Sequence, residues 1–188
     1  MPLHVPATAG ASTPATGSHA PSGAYFGGFG STTAVTLGGL AGSSAFARIY
    51  IPRAMTVDRI GVEITTAIAA STTRLAIYSN VNDVATALIL DAGTVDSSTT
   101  GFKEITISQA LSQGWVFLGV SASINTVGIR SFKGGGGHGF HSTAATYSQY
   151  IIPGFLSTTW TGAGAAPAGP ITAASGGEDS PRLILRAA

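Results

Sequence analysis

From Ala45 to Phe132 apolar residues recur at every second position, and no other feature limits the possible folds of this chain as strongly. In "TVDRIGVEITT", Ile60, Val62 and Ile64 fall on one side while Arg59, Gly61 and Glu63 fall on the other. Successive side chains of a strand point to opposite faces, so such a stretch buries one face and leaves the other outside the core. The same alternation runs through "FARIYIP" (Ala47, Ile49, Ile51 against Arg48, Tyr50) and "TTRLAIYS" (Leu75, Ile77 against Arg74, Tyr78). It continues in "FKEITIS" (Ile105, Ile107 against Glu104, Thr106) and "WVFLGVS" (Val116, Leu118, Val120 against Trp115, Phe117). "TALILDA", "TVGIRSF", the C-terminal "RLILRAA" and "TAVTLG" near residue 35 bring the candidate strands to eight or nine, separated by turn chemistry such as "SNVND", "DSSTTG" and "SQG".

No window of the chain has a sustained helical period; the best, "ISQALSQG", amounts to one or two turns. The expected class is therefore all-β, an antiparallel two-sheet β-sandwich of jelly-roll-like form whose last strand, 182–187, returns to pair near the beginning. At 188 residues the chain holds one sizeable domain with appendages. Residues 1–44 read as an extended N-terminal arm and 45–188 as the body, which includes a long excursion at 134–177.

Charge divides the chain in the same way. It has nine Lys and Arg and eight Asp and Glu, 9% in all, against roughly 25% in ordinary soluble proteins. Residues 1–47 and 134–177 contain none of them. These segments are built from Gly, Ala, Ser, Thr and Pro with scattered aromatics: Tyr25, Phe26 and Phe29 in the first, Phe140, Tyr147, Tyr150, Phe155 and Trp160 in the second. Such chain lies against another protein surface without desolvating ions, so both segments read as interaction segments, the alternative being flexible linker. An excursion of this length is either functional or packed on a neighbour.

The same numbers bound the partners. A net charge of +1 gives no clustered Lys and Arg for nucleic acid or anionic lipid, and no apolar run reaches the length of a membrane helix. Nucleic-acid binding and membrane insertion are not expected. Nor does the N-terminus have the basic and apolar regions of a secretory signal, so the mature chain is expected to begin near Met1. The chain has no cysteine, which excludes disulfides and thiolate metal sites.

Candidate chemistry is sparse. In "SFKGGGGHGFH", Gly134, Gly136 and Gly139 formally match a dinucleotide fingerprint, but no helix follows and no acid appears before Glu178. No cofactor is expected; the glycines read as the bend where the chain leaves the sandwich. His138 and His141 lack the further ligands a metal site needs. The carboxylates Asp58, Glu63, Asp83, Asp91, Asp96, Glu104, Glu178 and Asp179 read as turn and surface residues, Asp58 and Glu63 on opposite faces of one strand. No catalytic residue is assigned, and the chain is not expected to be an enzyme.

Residues 51–123 resemble a domain found in structural proteins of tailed bacteriophages. The likeness lies in "VDRIGVEITTA", "RLAIYS", "LILDAGTVDSSTTGFKEI" and a closing "GWVFLGV", covering somewhat under half of the chain. It implies a jelly-roll-like module of a virion, of the head-decoration, spike or tail-fibre kind, and commonly a homotrimer. On that basis the chain is expected to be a virion structural protein, a small capsid or tail accessory subunit that docks on other virion proteins through the arm. Tyr25, Phe26 and Phe29 are then its docking residues. The alternative is a receptor- or glycan-binding tail module that uses the outward aromatics Tyr50, Tyr78, Trp115 and Phe117, with Trp160 as a further glycan or subunit contact. A host-surface glycan is its partner in that case, and a depolymerase is the third reading. Trp115 and Phe117 have a plainer alternative, packing beneath a covering loop drawn from residues 140–160 or lying in the second layer of the sandwich.

Overall fold

The computed structural model describes residues 20–27, 34–41, 44–82, 84–133, 155–156, 163–169 and 179–188. The chain is all-β: β1 (Tyr25–Gly27), β2 (Ala34–Leu37), β3 (Ser44–Ile51), β4 (Met55–Thr66), β5 (Thr72–Val81), β6 (Val84–Asp96), β7 (Gly101–Leu111), β8 (Gly114–Ala122), β9 (Gly128–Lys133), β10 (Phe155–Leu156), β11 (Asp179–Pro181) and β12 (Leu183–Ala187). Each alternating stretch of the sequence is a strand, and three short strands, β1, β10 and β11, join them. "ISQALSQG" is extended, since β7 runs on to Leu111 and β8 starts at Gly114.

The strands form two sheets with antiparallel pairing throughout. The seven-stranded sheet runs β1-β12-β4-β9-β11, with β2 on β9 and β7 on β4; the five-stranded sheet runs β10-β3-β8-β5-β6. The C-terminal strand does return to the beginning: β12 lies between β1 and β4, and β11 continues it alongside β9. Part of the segment read as an arm belongs to the sandwich. β1 caps the edge of β12, and β2 pairs with β9 from Ala34↔Phe132 to Leu37↔Ile129, so exposed edges gain partners. Residues 1–19 lie outside the described residues, as do Gly134–Gly137, His138 and His141.

Between the sheets the inward residues of β3, β5 and β8 (Ala47, Ile49, Leu75, Ile77, Leu118, Val120) meet those of β4, β9 and β12 (Val57, Ile60, Val62, Ile64, Ile129, Leu183, Leu185). These are the residues the alternation selects, now placed in two facing layers. One departure comes from β4. Val57 and Ile60 are both fully buried although an odd number of positions separates them, because the register shifts between Val57 and Arg59. A bulge of this kind absorbs the extra residue, Asp58, and turns it outward. Asp58 and Glu63 were expected on opposite faces of the strand; both carboxylates instead reach arginines on the outer side of the sheet.

The outer face of the five-stranded sheet carries a second buried cluster of Phe46, Ala76, Tyr78, Ala85 and Phe117, with Leu88 and Ala166 packed on it. Ala166 comes from residues 163–169, a strap that crosses this face. Phe46 therefore lies outside the sandwich core yet is fully buried, at 0% exposure. Phe46→Ala is expected to cost about 3–5 kcal/mol, as for an interior aromatic, when unfolding is followed in urea.

Candidate functional site

The strap is fixed by a small set of polar contacts. Arg74 on β5 pairs with Asp91 on β6 through both carboxylate oxygens, at 2.8 and 2.9 Å. The same arginine donates from Nε to the Ala163 carbonyl at 2.9 Å, and the Ala166 N–H donates to Asp91 Oδ2 at 3.0 Å. Tyr78 donates its phenol to the Pro167 carbonyl at 3.0 Å, and the Leu88 N–H reaches the Ala168 carbonyl at 2.8 Å. Gly169 ends the described strap with φ +96, pressed so closely on the Thr86 carbonyl that a Cβ would collide. That combination suits glycine alone.

Burial pushes the Tyr78 phenol well above its ordinary pKa, and the nearby Asp91 charge adds to the shift. For Asp91 itself burial acts upward, but hydrogen bonds from the Ala166 N–H, Arg74 and the Gly93 N–H outweigh it and hold the carboxyl below the ordinary range. This group therefore adds stability above the ordinary carboxylate pKa and loses it as pH falls through the lowered value.

The strap divides the outer face of this sheet. Tyr78 (0% exposed) and Phe117 (3%) are cross-strand partners beneath it. The outward direction expected for them is correct, but neither is open to a ligand, because the strap closes over them. Among the described residues the covering chain is 163–169; of the loop expected to cover them, 140–160, all but residues 155–156 lies outside the described residues. Tyr50 and Trp115, partners across β3 and β8, stay 42% and 39% exposed. Their rings meet edge to face, with centroids 5.2 Å apart at 61°. The Arg48 guanidinium carbon lies 4.7 Å from the Trp115 ring centroid, on a side chain that is otherwise buried. Gln113 donates to the Tyr50 hydroxyl at 3.3 Å. The platform is an aromatic pair backed by a cation–π contact and edged by an amide, all from strand positions or the β7–β8 turn.

Of the other aromatics singled out in the sequence, Tyr25 lies on β1, 46% exposed, and Phe26 turns inward and packs against the core. Phe29 and Trp160 lie outside the described residues. Arg48 and Gln113 were not among the candidates. Period two places Arg48 on the face of Tyr50, but its contact with Trp115 depends on the register between β3 and β8.

Of the carboxylates singled out in the sequence, Asp83 and Glu178 lie outside the described residues, and three on the seven-stranded sheet are held by arginines. Asp58 takes two bonds from Arg186 at 2.8 and 2.7 Å, Glu63 two from Arg130 at 3.2 and 2.9 Å, and Glu104 one from Arg59 at 3.3 Å. Hydrogen bonds from Arg186 hold Asp58 below the ordinary range, those from Arg130 do so for Glu63, and those from Ser98 do so for Asp96. Among the described residues no three His, Cys, Asp or Glu side chains gather as a metal site.

No protein-family model and no curated protein matches the chain. Among solved structures, chitosan-binding module 1, derived from a chitosanase/glucanase of Paenibacillus sp. IK-5, is similar over 53% of this chain and 72% of that chain, with 17% sequence identity and a TM-score of 0.35.

If Asp91 holds the strap as described, Asp91→Asn lowers stability at pH 7 by about 1 kcal/mol, the lower end for charge-assisted bonds that are partly exposed. In urea titrations the gap between wild type and variant narrows as pH falls below the ordinary carboxylate range and closes once the wild-type carboxyl, held lower than that range, is protonated as well.

Proposed function

We propose that the chain is a non-enzymatic module of a phage particle that binds saccharide on the Tyr50–Trp115 platform. The observation that carries the binding is the division of one sheet face. Its other aromatics, Phe46, Tyr78 and Phe117, lie under the strap, while Tyr50 and Trp115 stand beside it as a fixed, half-exposed pair. A sugar ring has an apolar face that stacks on an aromatic ring and hydroxyls that take hydrogen bonds at its edge. Trp115 and Tyr50 supply the first; the Tyr50 hydroxyl and the Gln113 amide supply the second.

The non-enzymatic part of the reading is supported by the carboxylates. Glycoside hydrolysis needs a proton donor with a raised pKa beside a second carboxylate. Asp58, Glu63, Asp91 and Asp96 are all shifted in the opposite direction, each by hydrogen bonds that favour the ionised form. The virion setting, with docking on other virion proteins and assembly as a homotrimer, rests on the resemblance of residues 51–123 and is part of the proposal on that ground alone.

Trp115→Ala is expected to weaken binding to a recognised neutral oligosaccharide about tenfold, given roughly 1 kcal/mol or more for an aromatic contact. Tyr78→Phe leaves binding unchanged, because that ring is covered. Glycan-array screening followed by calorimetric titration of both variants checks this; unchanged binding by Trp115→Ala would remove the platform. For the virion setting, an antibody against the sandwich is expected to label intact particles in electron micrographs.

A further inference from the structure

The outer face of the seven-stranded sheet has a hollow of about 410 Å³ lined by Tyr25, Glu63, Phe102, Arg182 and Ile184. Its shape follows from the cross-strand row Gly27–Ile184–Gly61–Glu104. Ile184 lines the hollow between two glycines, and the absence of side chains at Gly27 and Gly61 lets Ile184 and the Phe102 ring pack directly on the backbone there. Phe102 lies over Gly61 so closely that any Cβ there would collide with its ring. Tyr25 meets Phe102 edge to face, with centroids 5.9 Å apart at 89°, and is tied down by its hydroxyl, which donates to Glu104 at 2.6 Å. Phe102 is 47% exposed and Tyr25 46%, so the hollow has two aromatic walls that face outward and are already positioned.

The charges around it do not balance. Arg59, Arg130, Arg182 and Arg186 share this face with Asp58, Glu63 and Glu104. Arg186 takes Asp58, Arg130 takes both oxygens of Glu63, and Arg59 takes Glu104. Among the described residues Arg182 is left with only a 3.8 Å approach to a Glu63 oxygen that Arg130 already holds, and its side chain is 50% exposed. Its guanidinium carbon lies 5.9 Å from the Phe132 ring centroid. A loose surface contact of this kind is worth little and is readily exchanged for a better one. A planar guanidinium at the rim of an aromatic hollow matches a ligand with a carboxylate on a ring with an apolar face, because its fork takes both carboxylate oxygens.

We propose that this hollow binds a carboxylated sugar, of the uronic-acid or sialic-acid class, with the ring face on Phe102 and Tyr25 and the carboxylate on Arg182. The site lies on the sheet opposite the Tyr50–Trp115 platform and takes a charged ligand, so it stands or falls separately from the function proposed above.

The test is calorimetric titration of the full chain with oligogalacturonate and sialyllactose, each beside its neutral counterpart, the methyl ester and lactose. At least one acid binds ten times more tightly than its counterpart, and the difference shrinks in raised salt. Arg182→Gln removes that difference, Arg182→Lys restores part of it, and Phe102→Ala weakens the acid about tenfold. Both positions are exposed, and unchanged urea midpoints confirm that the variants fold. Trp115→Ala leaves acid binding intact. Absence of binding by both acids, equal binding of acid and neutral forms, or an advantage that survives Arg182→Gln would overturn the proposal, as would its loss in Trp115→Ala.

Discussion

The Arg74–Asp91 pair decides how one whole face of this molecule is used. It joins adjacent strands of the five-stranded sheet, and the bonds left over on each partner reach the backbone of residues 163–169. The strap carries no charge of its own, so it can lie on Phe46, Tyr78 and Phe117 without burying an ion. Its polar groups are met by Arg74, Asp91, Tyr78 and the Leu88 N–H. Beside the part of the face that the strap covers, Tyr50 and Trp115 remain 42% and 39% exposed. The candidate binding surface is thus the part of this face that the strap packing leaves half-exposed, held by the contacts of Tyr50 and Trp115 with each other, Arg48 and Gln113.

The other outer face is organised by charge. With so few ionised residues in the chain, the concentration of Asp58, Arg59, Glu63, Glu104, Arg130, Arg182 and Arg186 on the seven-stranded sheet gives that side a character the strap side lacks. The bulge in β4 makes it possible: without the extra residue at position 58, the strand's two carboxylates would point in opposite directions. Arg186, over the ring of Tyr25, then ties β12 to β1 as well as to β4. A sandwich with one aromatic, neutral face and one ion-paired face can hold two unlike ligands, and the two binding proposals follow that division.

Much of this was legible in the sequence, for a simple reason. A period of two needs no knowledge of partners, so Ile60, Val62, Leu75, Ile77, Leu118 and Val120 could be placed in the core from their spacing alone. The bulge was also written there, in the change of parity between Val57 and Ile60, but it is easily read as noise when only one strand is considered. Register is a different matter. That Tyr50 faces Trp115 and Tyr78 faces Phe117 depends on turn lengths and on which strands are neighbours, and alternation is silent on both. The strap was the largest omission. "GAGAAPAG" has no periodicity, and its contacts with Arg74 and Asp91 span most of the body, so outward aromatics that looked equivalent in the sequence divided into covered and open pairs only in three dimensions.

Hydroxyl-radical footprinting of the intact chain, read by mass spectrometry at single residues, tests that division most directly. The account predicts strong labelling of Tyr50 and Trp115 and protection of Phe46, Tyr78 and Phe117. Labelling of Tyr78 and Phe117 as heavy as that of Tyr50 would mean that the strap does not cover the sheet in solution, and the separation of platform from core would be lost with it.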